Sequence, residues 1–233
     1  MLIREDIDRI SRWNSIHAIV ILISVFLSVY SEDFIFLVIG AIASFCYFIL
    51  NNRDTLMELT PIGGYANWVT GFRFVLLIGL MLFLPSLSFL QLGVGLIIFV
   101  SLDGIDGWLA RKYEQSTTFG QYFDMELDAL FVMMMCCYYF LFKEISMWIL
   151  FPGLLRYLYR VGIDIFPKEN FKESKKRYAS SIAGIFFTIL ILGLFLDHEI
   201  RFYFLAIGSF LIVISFSISI MEYIKFDNLK NVN

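Results

Sequence analysis

Apolar runs broken by short polar or Gly/Pro-containing punctuation divide the chain into eight candidate spans, at residues 13–30, 34–50, 68–84, 87–102, 119–142, 145–158, 179–196 and 202–223. A helix needs about 20 residues to cross about 30 Å of hydrocarbon, so several of these runs lie near the lower limit. The sixth is the weakest, because Pro152, Gly153 and Arg156 interrupt it. Segments that cross lipid must satisfy their own backbone hydrogen bonds, which makes each run a helix. The pattern predicts an all-α integral membrane protein with about eight transmembrane helices. The break at 51–66 sets two accessory helices, within residues 1–60, apart from a six-helix core in 61–233.

Composition agrees. Of 233 residues, 59% are hydrophobic, above the half that soluble domains rarely exceed. The net charge of −3 matters less than where the charges fall. With a cytoplasmic N-terminus and eight spans, 16 of the 18 basic residues face inward, and only Lys143 and Arg201 face outward. That asymmetry predicts both termini on the cytoplasmic side, most simply of a bacterial inner membrane. The first apolar run is long and lacks a small-residue cleavage site, so no cleaved signal peptide is expected. Cys46, Cys136 and Cys137 sit inside apolar runs without metal-ligand spacing and read as small packing residues. His17 and His198 lie far from the acidic residues. Trp13, Trp68 and Tyr223, near span ends, read as interfacial anchors. No nucleic-acid partner is expected, and membrane lipids are.

The candidate chemistry is concentrated between the fourth and fifth spans. Asp103 and Asp106, then Asp124 and Asp128, are spaced i, i+3 and i, i+4, which places each pair on one helix face. Carboxylates this close repel one another unless a cation joins them. At membrane depth each also costs about 2.5–3.5 kcal/mol to insert. A divalent ion offsets both penalties, and an oxygen-only ligand set favours Mg²⁺ or Mn²⁺ over zinc. Gly104, Gly107 and Ala110 remove bulk beside the carboxylates, and Gly120 does so one turn before Asp124. Arg111 is a fixed cation suited to phosphate or to the cluster itself. Glu126 points away from the Asp124/Asp128 face.

The spacing Asp103-x2-Asp106-Gly107-x2-Ala110-Arg111-x8-Gly120-x3-Asp124-x3-Asp128 resembles the signature of the CDP-alcohol phosphotransferases, with every fixed position filled. The resemblance extends over about residues 61–224. Asn67-Trp-Val-Thr70-Gly-Phe-Arg73 resembles the Asn-x-x-Thr-x-x-Arg element that opens the core in that family, with Ala66 in place of the usual proline. The resemblance implies phosphoryl transfer from a CDP-linked donor to an alcohol, with release of CMP. It implies one or two divalent ions, more simply two, held by Asp103, Asp106 and Asp124, with Asp128 as general base and further metal contact. It implies nucleotide contacts from Thr70, Asp106, Gly107, Ala110 and Arg111. Homodimerisation follows by the same analogy.

The acceptor is less legible. Arg156, Arg160, Lys176 and Arg177 gather positive charge on the expected cytoplasmic side, fit for an acceptor phosphate or for anionic lipid headgroups. Lys175-Lys-Arg-Tyr-Ala-Ser180 stands where glycerophosphate-using relatives carry Gly-Lys-x-Lys-Thr, which points away from glycerol phosphate. CDP-diacylglycerol with a small polar alcohol is the expected pairing. CDP-choline or CDP-ethanolamine acting on diacylglycerol is the alternative within the class. A divalent-cation transporter using the aspartates is the alternative outside it, although no repeat symmetry is visible.

Overall fold

The computed structural model describes residues 2–168 and 177–230, with side chains over 8–168 and 178–225. Regular structure among the described residues is entirely helical: α1 (Leu2–Ser31), α2 (Ile35–Asn51), α3 (Arg53–Met57), α4 (Tyr65–Phe83), α5 (Phe89–Lys112), α6 (Thr118–Phe142), α7 (Leu150–Ile165), α8 (Arg177–Leu192) and α9 (His198–Lys230). Single 3₁₀ turns extend α4 and α8 and lead into α7.

Each of the eight expected spans corresponds to a helix, but they are not equivalent. Six helices (α1, α4, α5, α6, α8 and α9) are long and apolar enough to cross a membrane among the described residues. α2 has 17 residues and α7 has 16. At 1.5 Å per residue they rise only about 26 Å and about 24 Å. In α7, Arg156, Arg160 and Asp164 recur every four residues, so one face of that helix is polar. The expected runs, about eight in number, are thus met among the described residues by six long apolar helices and two shorter ones.

The chain forms two compact units, residues 1–134 and 135–233. In the first, α1 and α2 make an antiparallel hairpin. A Cβ on Gly40 would lie 2.0 Å from Ser24 Oγ, so only glycine permits the helices to approach this closely. Ser28 Oγ accepts from the Leu37 amide at 2.9 Å and Asp33 Oδ1 from the Ile35 amide at 3.0 Å, which satisfies donors in the first turn of α2. Ser44 accepts from Trp13 Nε1 on its carbonyl (3.0 Å) and pairs its hydroxyl with His17 Nδ1 (2.7 Å). Trp13, His17 and Ser44 inside the hairpin are thus bonded to each other.

The hairpin is stacked onto the following helices by aromatic rings. Trp13 stacks on Phe48 at 3.7 Å between centroids, and Phe48 on Phe119 of α6 at 4.5 Å. Phe45 meets Phe74 of α4 and Phe123 of α6 at 4.8 and 5.5 Å. Trp13 is only 1% exposed, which corrects its reading as an interfacial anchor. Its ring lies in the stack and its Nε1–H donates to the Ser44 carbonyl inside the hairpin, so neither end needs the lipid interface. α4 and α5 pack against each other, with Leu80 seated over Gly95 where a Cβ would stand 2.7 Å from it. α5 starts with a capping box between Ser88 and Gln91.

In the second unit α8 and α9 pack closely at Gly208, where a Cβ would meet the Phe186 ring at 2.7 Å. Arg201 donates to the Gly193 and Leu196 carbonyls at 2.8 and 2.6 Å, closing the end of α8. Tyr139 donates to the Leu190 carbonyl at 2.5 Å. Beyond α7, Lys168 donates to the carbonyls of Tyr223 (2.6 Å) and Ile224 (3.0 Å), and Tyr223 donates to the Phe166 carbonyl. Tyr223 is therefore a buried tie between α7 and α9, and its reading as an interfacial anchor is also corrected. Trp68 remains exposed.

Phe48 sits between two rings, so Phe48→Ala opens a cavity in the stack. The expected cost is about 3 kcal/mol, with Phe48→Leu costing clearly less. Thermal unfolding of the detergent-solubilised protein checks this; equal melting of both variants and the native protein would show that the stack carries no stability.

Candidate active site

Three helices of the first unit bring charge to one point. α4 carries Thr70 and Arg73, α5 carries Asp103 and Asp106, and α6 carries Asp124 and Asp128. Spacing of three or four residues aligns each pair on one face of its helix. The Arg73 guanidinium lies at the centre of this arrangement, with 0% of its side chain exposed. Its Nη1 is 2.9 Å from Asp106 Oδ2, 2.7 Å from Asp124 Oδ1 and 3.2 Å from Asp103 Oδ1. Its Nη2 donates to Asp128 Oδ1 at 2.7 Å. All four sequence-identified aspartates therefore converge on one cation.

The surroundings hold that cation in place. Phe99 lies under the guanidinium, 4.7 Å from Cζ, and stacks in turn on Phe131 at 5.1 Å. Thr70, buried, donates its hydroxyl toward Asp106 Oδ2 at 3.1 Å and toward its own helix at Ala66 O (3.2 Å). Asp106 is nearly buried, whereas 43% of the Asp103 side chain is exposed, so the cluster opens to the outside along Asp103.

Arg73 is the central residue of the cluster that sequence reasoning passed over. It was visible only as the last position of the Asn-x-x-Thr-x-x-Arg element. The available signal was its placement in the apolar run of α4, because an arginine inside a membrane span requires a partner.

The other expected positions fall as follows. Gly107 lies beneath the Arg111 side chain, since a Cβ there would sit 3.5 Å from Arg111 Nη1. Gly104 faces open space, Ala110 is half-buried and Arg111 is exposed. Gly120 makes room for Asn67 of α4: a Cβ would come within 2.7 Å of Asn67 Oδ1. The opening element of the core and the acidic signature thus meet at this glycine. Glu126 is buried on α6. Of the expected acceptor residues, Arg156 and Arg160 lie half-buried on α7 in the second unit, and Arg160 pairs with Asp164 at 3.0 Å. Lys176 lies outside the described residues; Arg177 opens α8, and its side chain is outside them too.

The donor set fits a hard divalent ion. Asp103, Asp106 and Asp124 each offer a carboxylate oxygen within 4.8 Å of the others. Asp128 joins them through Arg73. Four carboxylates against one guanidinium leave the partly buried site with an excess of negative charge, which further positive charge relieves.

The fold and the cluster together are those of a helical multi-pass membrane protein with a carboxylate group able to hold a metal ion. The CDP-alcohol phosphatidyltransferase family model matches residues 64–220, about two thirds of the chain, and the protein belongs to that family. It is accordingly a transferase of phospholipid synthesis of the CDP-alcohol phosphotransferase type. No curated protein and no solved structure matches the chain. Family membership selects the transferase reading over cation transport.

Gly120→Ala would press a methyl group against Asn67 and is expected to cost about 1–2 kcal/mol. In the double variant Gly120→Ala/Asn67→Ala part of that loss should return, since the clash is removed. Strict additivity in thermal unfolding would show that the two residues do not share this contact.

Proposed function

We propose that the protein transfers a phosphatidyl group from CDP-diacylglycerol to the hydroxyl of a small polar alcohol, releasing CMP. The observation that carries the reading is the convergence of Asp103, Asp106, Asp124 and Asp128 on one buried point within the family signature. Asp103, Asp106 and Asp124, with help from Asp128, would hold Mg²⁺ or Mn²⁺, most simply two ions. Such ions supply charge neutralisation for the pyrophosphate of the donor.

Asp128 takes the proton of the acceptor hydroxyl. The acceptor oxygen forms its bond to the β-phosphorus as the bond from that phosphorus to the bridging oxygen breaks, and the electron pair leaves on CMP. Chemistry of this kind depends on positioning and on charge rather than on covalent help from the protein. Arg111 over Gly107 offers a cation to the donor phosphates, while Thr70 keeps Asp106 oriented. Arg156, Arg160, Lys176 and Arg177 are assigned to an acceptor bearing negative charge. Both termini and the site are placed on the cytoplasmic side, and the working assembly is a homodimer.

The test is incubation of purified protein and CDP-diacylglycerol with Mg²⁺ or Mn²⁺ and a panel of alcohols, following CMP release. CMP release from CDP-choline or CDP-ethanolamine with diacylglycerol, and none from CDP-diacylglycerol, would replace this donor assignment by the aminoalcohol one. Asp128→Asn is expected to lower turnover by about 10²–10⁴-fold while leaving nucleotide affinity near that of the native protein. Full turnover in that variant would remove Asp128 from the role of base.

A further inference from the structure

Arg73 stands among the same oxygens that a divalent ion would need. Its Nη1 is within 3.2 Å of Asp103, Asp106 and Asp124, the three residues whose oxygens gather closely enough to hold an ion. The side chain is wholly buried, and among the described residues its Nε–H has no hydrogen-bond partner. The guanidinium thus leaves one buried donor unsatisfied while its two terminal nitrogens serve four carboxylates. Arginine is suited to this, because its planar fork spans several oxygens and stays charged under all ordinary conditions. A lysine ammonium offers one nitrogen, and could not serve Asp128 separately from Asp103, Asp106 and Asp124 as Nη2 and Nη1 do.

We propose that Arg73 is a built-in counter-ion: it holds the two acidic pairs together before a metal binds and competes with the divalent ion for their oxygens. The proposal rests on the metal-dependent reading above. Two physical consequences follow. Without a metal, Arg73 is the positive charge bridging α5 and α6, so the assembled site depends on it. With a metal, oxygens shared with Nη1 must be partly given up, so Arg73 weakens metal affinity and the metal weakens the hold of Arg73. The two effects are linked and equal in magnitude. A site tuned in this way remains folded when empty and does not bind its ion irreversibly tightly.

The test uses the full chain in lipid nanodiscs, with Mn²⁺ as probe. Mn²⁺ affinity is read from the electron paramagnetic resonance of the free ion, and thermal unfolding is followed with and without chelator. Arg73→Gln is expected to bind Mn²⁺ about tenfold more tightly than the native protein, a typical size for coupling between two ligands of one site. In chelator it should unfold at a lower temperature than the native protein, and Mn²⁺ should close most of that gap. Generic structural damage would weaken Mn²⁺ binding, so a tightening is specific to competition.

Equal or weaker Mn²⁺ binding by Arg73→Gln overturns the competition. Unchanged melting in chelator overturns the holding role. If neither the native protein nor the variant binds Mn²⁺, the metal-dependent reading falls and the proposal with it; if the native protein binds and the variant is no tighter, the proposal falls alone. Should Arg73→Gln fail to fold, Arg73→Lys keeps the charge but loses the fork, and it is expected to bind Mn²⁺ several-fold more tightly. Affinity equal to or below the native value in that variant overturns the proposal equally.

Discussion

The structure of the first unit depends on an electrostatic constraint: four carboxylates, from nearly buried Asp106 to half-open Asp103, share one wholly buried guanidinium. An ionised side chain inside a membrane span is costly in isolation, by about 2.5–3.5 kcal/mol at the helix centre. Arg73 and the aspartates of α5 and α6 reduce one another's cost only when all three helices are in place. Losing one member of a buried charge set commonly costs about 3–5 kcal/mol, because the remainder is left uncompensated. The same set that organises the helices is also incompletely neutralised. Stability and ligand demand therefore arise from one arrangement.

Close backbone approach makes that arrangement possible. Helices in lipid gain little from excluding water, so they are held by packing and by hydrogen bonds, and small residues at the crossings decide how near they come. Gly95 admits Leu80 where α4 meets α5, and Gly120 admits Asn67 where α4 meets α6. With larger residues at those two points, α4 would be pushed outward, and Arg73 would no longer reach oxygens at 2.7–3.2 Å. The signature glycine at 120 thus contributes to the chemistry by fixing the distance of another helix.

Much of this was legible in the sequence, and the reasons for the rest are physical. The apolar runs located every long helix, because hydropathy over 18 or more residues has few competing explanations. They also located the shorter α2 and α7, the latter as the weakest run because Pro152, Gly153 and Arg156 interrupt it. The four aspartates were legible because their spacing is helical and their cost in a membrane demands a reason. Arg73 was legible only as a cation in an apolar run that demands a partner; the pattern does not say that the partners lie 30 residues on, at Asp103 and beyond. Trp13 and Tyr223 were misread for a related reason. An aromatic ring near a span end satisfies the rule for interfacial anchors whether it faces lipid or a neighbouring helix, and only the partners, Phe48 for one and Phe166 with Lys168 for the other, decide.

The accessory hairpin shows how far such partners reach. Trp13, Phe48 and Phe119 form a continuous stack from α1 through α2 to the first turn of α6. Phe123, which packs against Phe45, Phe48 and Phe119, directly precedes Asp124. α6 therefore carries a face that faces rings of the hairpin and a face that faces Arg73, separated by a single residue step of about 100° around the helix. A hairpin that served only to anchor the chain would need no contact with this turn. Here its rings pack on Phe123, the chain neighbour of Asp124, so residues outside the family match at 64–220 support the turn that presents Asp124.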